Sequence, residues 1–169
     1  MTIGRKETVI EQERLARLIR LAARAFNRSL QIRLQAEGIT FGQWIFMRIL
    51  WEEDGLSQKV LSQRAGLTEP TTHSAIKRME KAELVERQKL EGNRRKIHTF
   101  LTAKGWSLRE RLEPLATEAN LVAVAGLTAE EVTVMRKGLL AVIENLGEDE
   151  RRAAHRGIKV PATRATIEV

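Results

Sequence analysis

The sequence of 169 residues contains no cysteine. That excludes a disulfide scaffold, a thiolate zinc site, a cysteine nucleophile and thiol-based redox sensing, and it fits a reducing compartment. No apolar run approaches the ~18 residues that a membrane span needs. The first residues, MTIGRKETVIEQER, lack the apolar core of a signal peptide. A cytoplasmic protein with no membrane partner is the expectation. His73, His98 and His155 are far apart and form no metal-ligand spacing. There is no glycine-rich phosphate loop, and Ser57, Ser62 and Ser74 have no nucleophile-elbow context. Paired carboxylates such as Glu52-Glu53 sit at a helix end. No constellation supports an enzyme, and no cofactor or metal is expected. Internal repeats and low-complexity tracts are also missing.

What is present suffices for a packed core. Hydrophobic residues make up 43% and charged residues 30%, which suits one domain, or a small domain with appended helices. The net charge of +7 is unevenly spread. Residues 1–55 hold 9 basic and 7 acidic groups, residues 56–105 hold 11 and 5, and residues 106–169 hold 9 and 10. The excess therefore lies in the middle of the chain, where a local basic surface favours a polyanionic partner.

The periodicity predicts a mainly helical chain. Glu11 to Ala36 reads as one long helix, with an apolar stripe through Leu15, Leu18, Ile19, Ala22, Phe26 and Leu30. Its other face carries Arg17, Arg20, Arg24, Arg28 and Arg33. Thr40 and Gln43 have capping-box spacing at the start of a second helix, which ends at Asp54-Gly55. Ser57 caps a short third helix that closes at Gly66, and Thr68 caps a fourth, with Pro70 tolerated in its first turn. The period then changes. Residues 84–88 and 96–101 read as two strands joined through the turn signal Gly92-Asn93. Thr102 caps a fifth helix that Pro114 should kink or break. Thr128 and Glu131 form a capping box on a sixth helix, striped by Met135, Leu139, Val142 and Leu146. From Gly147 periodicity is lost, and residues 147–169 read as a flexible tail.

The short helix, the tight turn at Gly66-Leu67 and the next helix form a helix-turn-helix pattern, and a charged hairpin after it makes a winged helix. On the fourth helix Thr72, Ala75, Ile76 and Met79 fall on one side, the predicted core face. The opposite side carries Pro70, Ser74, Lys77, Arg78 and Lys81, flanked by Thr71 and His73. Small polar groups near a helix N-terminus can approach base edges, and the cations can neutralise phosphates. The hairpin tip adds Lys89, Arg94, Arg95 and Lys96, suited to the minor groove or flanking backbone.

At this point residues 40–105 resemble the MarR family of winged-helix transcriptional regulators. LSQKVLSQRAGL (56–67) resembles the family's short-helix segment, and TEPTTHSAIKRMEKAELV (68–85) its recognition helix and exit. GNRRKIHTFLTAKG (92–105) resembles the wing signature, usually Asp-Arg-Arg followed by a strand ending in Leu-Thr-x-x-Gly. With the flanking helices the likeness spans residues 11–146. Asn93 stands where the family usually has Asp, so the wing arginines lose a charged partner. Glu83 stands where the family usually has Gly; a left-handed backbone there costs on the order of 1 kcal/mol.

The resemblance implies four segments: a dimerisation helix over 1–37, a winged helix-turn-helix over 38–104, C-terminal dimerisation helices over 105–146, and the tail. It implies a homodimer on double-stranded operator DNA, regulating transcription in a sequence-specific way, most often as a repressor released by a small molecule. The implied DNA-binding set is Ser57, Thr68, Pro70, Thr71, His73, Ser74, Lys77, Arg78, Lys81, Asn93, Arg94, Arg95 and Lys96. Trp44, Met47 and Trp51 share one face of the second helix and admit two readings. They are core residues, or with Arg48, and with Arg20 and Arg24 assisting, they hold a small aromatic or anionic effector. A winged-helix module that contacts protein rather than DNA is the rival reading.

Overall fold

The computed structural model describes residues 14–89 and 97–160. In chain order these form α1 (Leu15–Ala36), α2 (Phe41–Glu52), β1 (Leu56–Ser57), α3 (Gln58–Ala65), α4 (Glu69–Lys81), β2 (Val85–Lys89), β3 (Ile97–Leu101), α5 (Ala103–Ser107), α6 (Arg109–Ala123) and α7 (Ala129–His155). The fold is mainly α with a small antiparallel sheet, a winged helix-turn-helix flanked by long helices. No helix among the described residues is long and apolar enough to cross a membrane.

Helix starts follow the capping chemistry. Thr40 and Gln43 form a reciprocal capping box on α2, and Thr128 and Glu131 form another on α7. Ser57, Thr68 and Thr102 each accept a backbone N–H of the following turn. Gly66 closes α3 at φ +62°, a left-handed conformation that glycine adopts without a Cβ penalty.

The core is built around α2, half of whose 12 residues are buried. Phe46, Met47 and Leu50 are fully enclosed and meet Leu34 of α1, Leu61 of α3, Ile76 and Met79 of α4, and Leu112 of α6 in one cluster. A helix apolar on most of its circumference belongs at the centre of a domain. Trp44 and Trp51 stack edge to face, with ring centroids 5.7 Å apart. The Trp51 indole N–H donates to the Gly105 carbonyl at 3.1 Å. Gly105, the last residue of the wing signature, is itself buried, and a Cβ there would collide with the Leu84 carbonyl. That signature glycine therefore serves packing.

Four details depart from the sequence expectation. The sheet has three strands in the order β1-β3-β2, with Leu56 opposite Thr99 and Val85 opposite Leu101. The added strand β1 is two residues long, below any periodicity signal. It is fixed from outside: Asp54 accepts the Leu101 N–H at 2.9 Å, and His98 Nδ1 lies 2.8 Å from the Gly55 carbonyl. Next, Pro114 neither ends nor interrupts α6; the break falls at Leu108, between α5 and α6. Pro114 is exposed and lacks the N–H that would bond the carbonyl four residues back. Third, Gly147 does not end α7, which continues to His155 and shortens the expected tail. Arg151 and Arg152 pair with Glu148 one turn back, and such pairs with alanines support a solvated helix without an apolar stripe. Finally, α1 begins at Leu15; the expected start at Glu11 lies outside the described residues.

Glu83, after the recognition helix, is the one non-glycine described residue at positive φ, +60°. Its carboxylate is exposed, 3.9 Å from Lys104, too loose a pair to offset much. Glu83→Gly is expected to raise unfolding stability by about 1 kcal/mol. A urea melt checks this, and an unchanged or lower midpoint at equal slope would contradict the strain assignment.

Candidate DNA interface

The turn between α3 and α4 is short and fully bonded. Gly66 and Leu67 donate back to the carbonyls of Gln63 and Ser62, and α4 begins at Glu69 with Pro70 in its first turn. Burial of Thr72, Ile76 and Met79 fixes the rotation of α4 about its axis. At about 100° per residue, the outward sector then carries Pro70, Ser74, Lys77 and Lys81, with Arg78 and Thr71 on one flank and His73 on the other. All seven are exposed. Lys77, Arg78 and Lys81 form no salt bridge among the described residues, Lys77 acting on Glu80 only through its charge.

The two capping residues have a different local role. Thr68 Oγ1 accepts the Thr71 N–H and bonds the Thr71 hydroxyl at 2.8 Å. Ser57 Oγ accepts the Val60 N–H at 3.4 Å. Both hold the helix starts, and both are half-buried. Asn93, Arg94, Arg95 and Lys96 lie outside the described residues; Lys89, at the end of β2, is exposed.

The recognition helix is braced at its C-terminal end. Arg87 of β2 donates through Nε (3.0 Å) and a terminal nitrogen (2.6 Å) to Glu80 Oε2. The Arg87 hydrogen bond, with the charges of Arg87 and Lys77, holds the Glu80 carboxyl below its usual range. Lys104 donates to the Ala82 carbonyl at 2.9 Å, placing a cation at the negative end of α4. The Thr102 hydroxyl donates to the Glu83 carbonyl at 2.6 Å. These bonds tie β2 and the start of α5 to the C-terminal end of α4. Arg87 and Asp54 escaped the sequence reading, because neither a two-residue strand nor a brace between neighbouring elements has a periodic signature. Gln58 escaped it too: it reaches from the first turn of α3 to His73.

The candidate effector residues do not converge. Trp44, Met47 and Trp51 are buried in the core, 5%, 0% and 4% exposed. Packing uses their whole surface, and the Trp51 N–H is already committed to Gly105. Arg48 carries its guanidinium out to solvent, 3.9 Å from Glu52. Arg20 and Arg24 are exposed on α1. The core reading of the tryptophan face is therefore the one its geometry supports. A shallow, open cleft formed by the exposed face of α1 alone carries Arg24, Arg28, Gln31 and Ile32. A second groove, of about 720 Å³, runs between α1, α6 and α7 and is mostly apolar, with Leu18, Phe26, Leu121, Met135 and Leu139 in its walls.

Comparison with known proteins places this geometry. Residues 39–97, which hold the helix-turn-helix and most of the wing, match the MarR family model. The helix-turn-helix-type transcriptional regulator TtmR of Methylorubrum extorquens is 29% identical over 96% of this chain and 80% of its own length. A MarR-type regulator of Listeria monocytogenes, solved with 26-mer DNA, superposes with a TM-score of 0.74 at 26% identity, covering 89% of this chain and 99% of that one. A helix-turn-helix transcriptional repressor of Mycobacterium tuberculosis is 28% identical over 66% of this chain and 78% of its own length. Its structure with p-aminosalicylic acid shares the fold, with a TM-score of 0.64 at 23% identity, covering 77% of this chain and 98% of that one. Family model, relatives and fold agree: residues 39–97 match the MarR family, and the chain as a whole is similar to helix-turn-helix transcriptional regulators of that type.

Proposed function

We propose that this protein is a cytoplasmic, homodimeric repressor that binds a palindromic operator in double-stranded DNA. The observation that carries the reading is the outward face of α4, where Pro70, His73, Ser74, Lys77, Arg78 and Lys81 stand exposed above a fully buried core face. In this reading the N-terminal residues of α4 meet base edges, its later cations meet phosphate, and Arg94 and Arg95 of the wing meet flanking backbone or minor groove. Residues 38–104 form the DNA-binding unit; residues 1–37 and the helices from 105 onward form the dimerisation layer. The occupant of the apolar groove between α1, α6 and α7 is a second copy of the chain.

Release by a small aromatic or anionic molecule is the second element of the proposal. Its support is the p-aminosalicylic acid complex of the mycobacterial protein that shares this fold. The seat consistent with the arrangement here is the α1 cleft. There Arg24 and Arg28 can meet a carboxylate and Ile32 can meet a ring.

DNA fragments selected from a random pool by the purified protein, followed by footprinting, test the reading. A two-fold dimer presents two identical helices, so the selected site is expected to be an imperfect palindrome with half-sites about 10 bp apart. An asymmetric single half-site bound by a monomer would overturn it. Added p-aminosalicylate is expected to loosen the selected complex in the wild type and less in Arg24→Ala; equal loosening would move the ligand elsewhere.

A further inference from the structure

His73 stands on the outward flank of α4, and its ring is held from outside the helix. His73 Nδ1 lies 3.0 Å from Oε1 of Gln58, the first residue of α3. This contact links the two helices of the helix-turn-helix directly. The Gln58 amide is oriented by a second partner, because its Nε2 reaches toward the Glu69 carbonyl at 3.5 Å. In this orientation of the amide, Oε1 faces the imidazole and Nε2 faces the Glu69 carbonyl. An amide oxygen only accepts, so Nδ1 carries the proton. A neutral imidazole with hydrogen on Nδ1 presents a bare lone pair at Nε2.

We propose that Gln58 and His73 form a base-reading pair, in which Gln58 fixes the ring and His73 Nε2 accepts a hydrogen bond from the exocyclic amine of a cytosine or adenine. The proposal rests on the DNA reading above and deepens it. In the major groove, cytosine N4 and adenine N6 are the donors, whereas guanine offers only N7 and O6 and thymine only O4, all acceptors. A lone pair facing an acceptor is repulsive, so the pair discriminates both by attraction and by exclusion. His73 is the fifth residue of α4 and lies in the N-terminal half, the part of a recognition helix that meets base edges. Gln58 is a positioning residue here: without it the ring can rotate and exchange tautomers, and Nε2 then serves as donor or acceptor alike.

The test uses the full-length protein and its selected operator. The base pair read by His73 is first located as the position whose preference collapses in His73→Ala. All four base pairs at that position are then compared in the wild type and in Gln58→Leu, together with purine in place of adenine to delete the amine. The wild type is expected to favour, by about tenfold, the base pairs that place the amine on one particular strand over those that place it on the other, and the purine analogue to lose about the same factor. Gln58→Leu is expected to shrink the preference to about twofold or less, while its thermal midpoint and its affinity for unrelated duplex stay as in the wild type. A uniform loss of affinity with preference intact would make Gln58 merely structural and overturn the proposal. So would full wild-type affinity for an operator from which the exocyclic amine at that base pair has been deleted. If the protein binds no duplex at all, the DNA reading falls and this proposal with it; normal duplex binding without an amine preference sinks this proposal alone.

Discussion

Duplex binding is expected to weaken by about a thousandfold to a hundred-thousandfold between 50 mM and 200 mM salt. Lys77, Arg78 and Lys81 are exposed and form no salt bridge among the described residues. With Arg94 and Arg95 of the wing, they give up to ~10 phosphate contacts across two subunits. Each neutralised phosphate releases about 0.9 of a counterion, so the log–log slope approaches about −9. Single substitutions should then separate by role. Lys81→Ala or Arg95→Ala removes two contacts per dimer and is expected to flatten the slope by about 2 while weakening most sequences alike. Ser74→Ala should change discrimination among operator variants and leave the slope in place. Salt titrations on one operator and one unrelated duplex read both quantities. A slope near zero would favour the rival reading, a winged helix that docks on protein. An Arg95→Ala protein with unchanged slope and affinity would remove the wing from the interface.

The parts legible in the sequence were those written in short-range chemistry. Thr40-Gln43 and Thr128-Glu131 specify helix starts because a hydroxyl and a side-chain amide or carboxylate three residues apart can satisfy two orphan donors at once. The face of α4 was legible because Thr72, Ile76 and Met79 recur with helical period. The strain at Glu83 is legible only through the family resemblance, since Glu83 stands where that family usually has Gly, and its φ is positive. What stayed hidden is long-range. Strand β1 exists because Asp54 and His98 tie the turn before it to β3, residues 43 to 47 positions apart. The tryptophan face was ambiguous for the same reason. Spacing shows that Trp44, Met47 and Trp51 share a side, but only the three-dimensional packing shows that side closed by the core. Pairing of Gln58 with His73 spans 15 positions and two helices, and no local pattern announces it.

Placing charge in the apolar groove is expected to abolish operator recognition without touching a DNA-facing residue. Within one chain α7 leaves Val134, Leu139, Leu140, Ile143 and Leu146 exposed, and α6 leaves Leu121 and Val122 exposed. The mostly apolar groove of about 720 Å³, with Leu121 and Leu139 in its walls, has the character of an association site on a folded protein. A closed dimer buries the patch symmetrically, so one substitution acts twice. Leu121→Glu with Leu139→Glu puts four carboxylates per dimer into a water-poor interface, where unpaired charge is strongly unfavourable. Both side chains are solvent-exposed in the single chain, so the monomer fold should tolerate them. The double variant is expected to sediment as a monomer with wild-type helicity. Joining two half-site contacts in one molecule makes the second contact intramolecular, an advantage of roughly 10²- to 10⁴-fold that dissociation removes. Affinity for the full palindrome should fall by that factor, while affinity for an isolated half-site stays near the wild-type value. A variant that sediments as a monomer yet binds the palindrome as tightly as the wild type would show that the groove has another occupant and that one winged helix suffices.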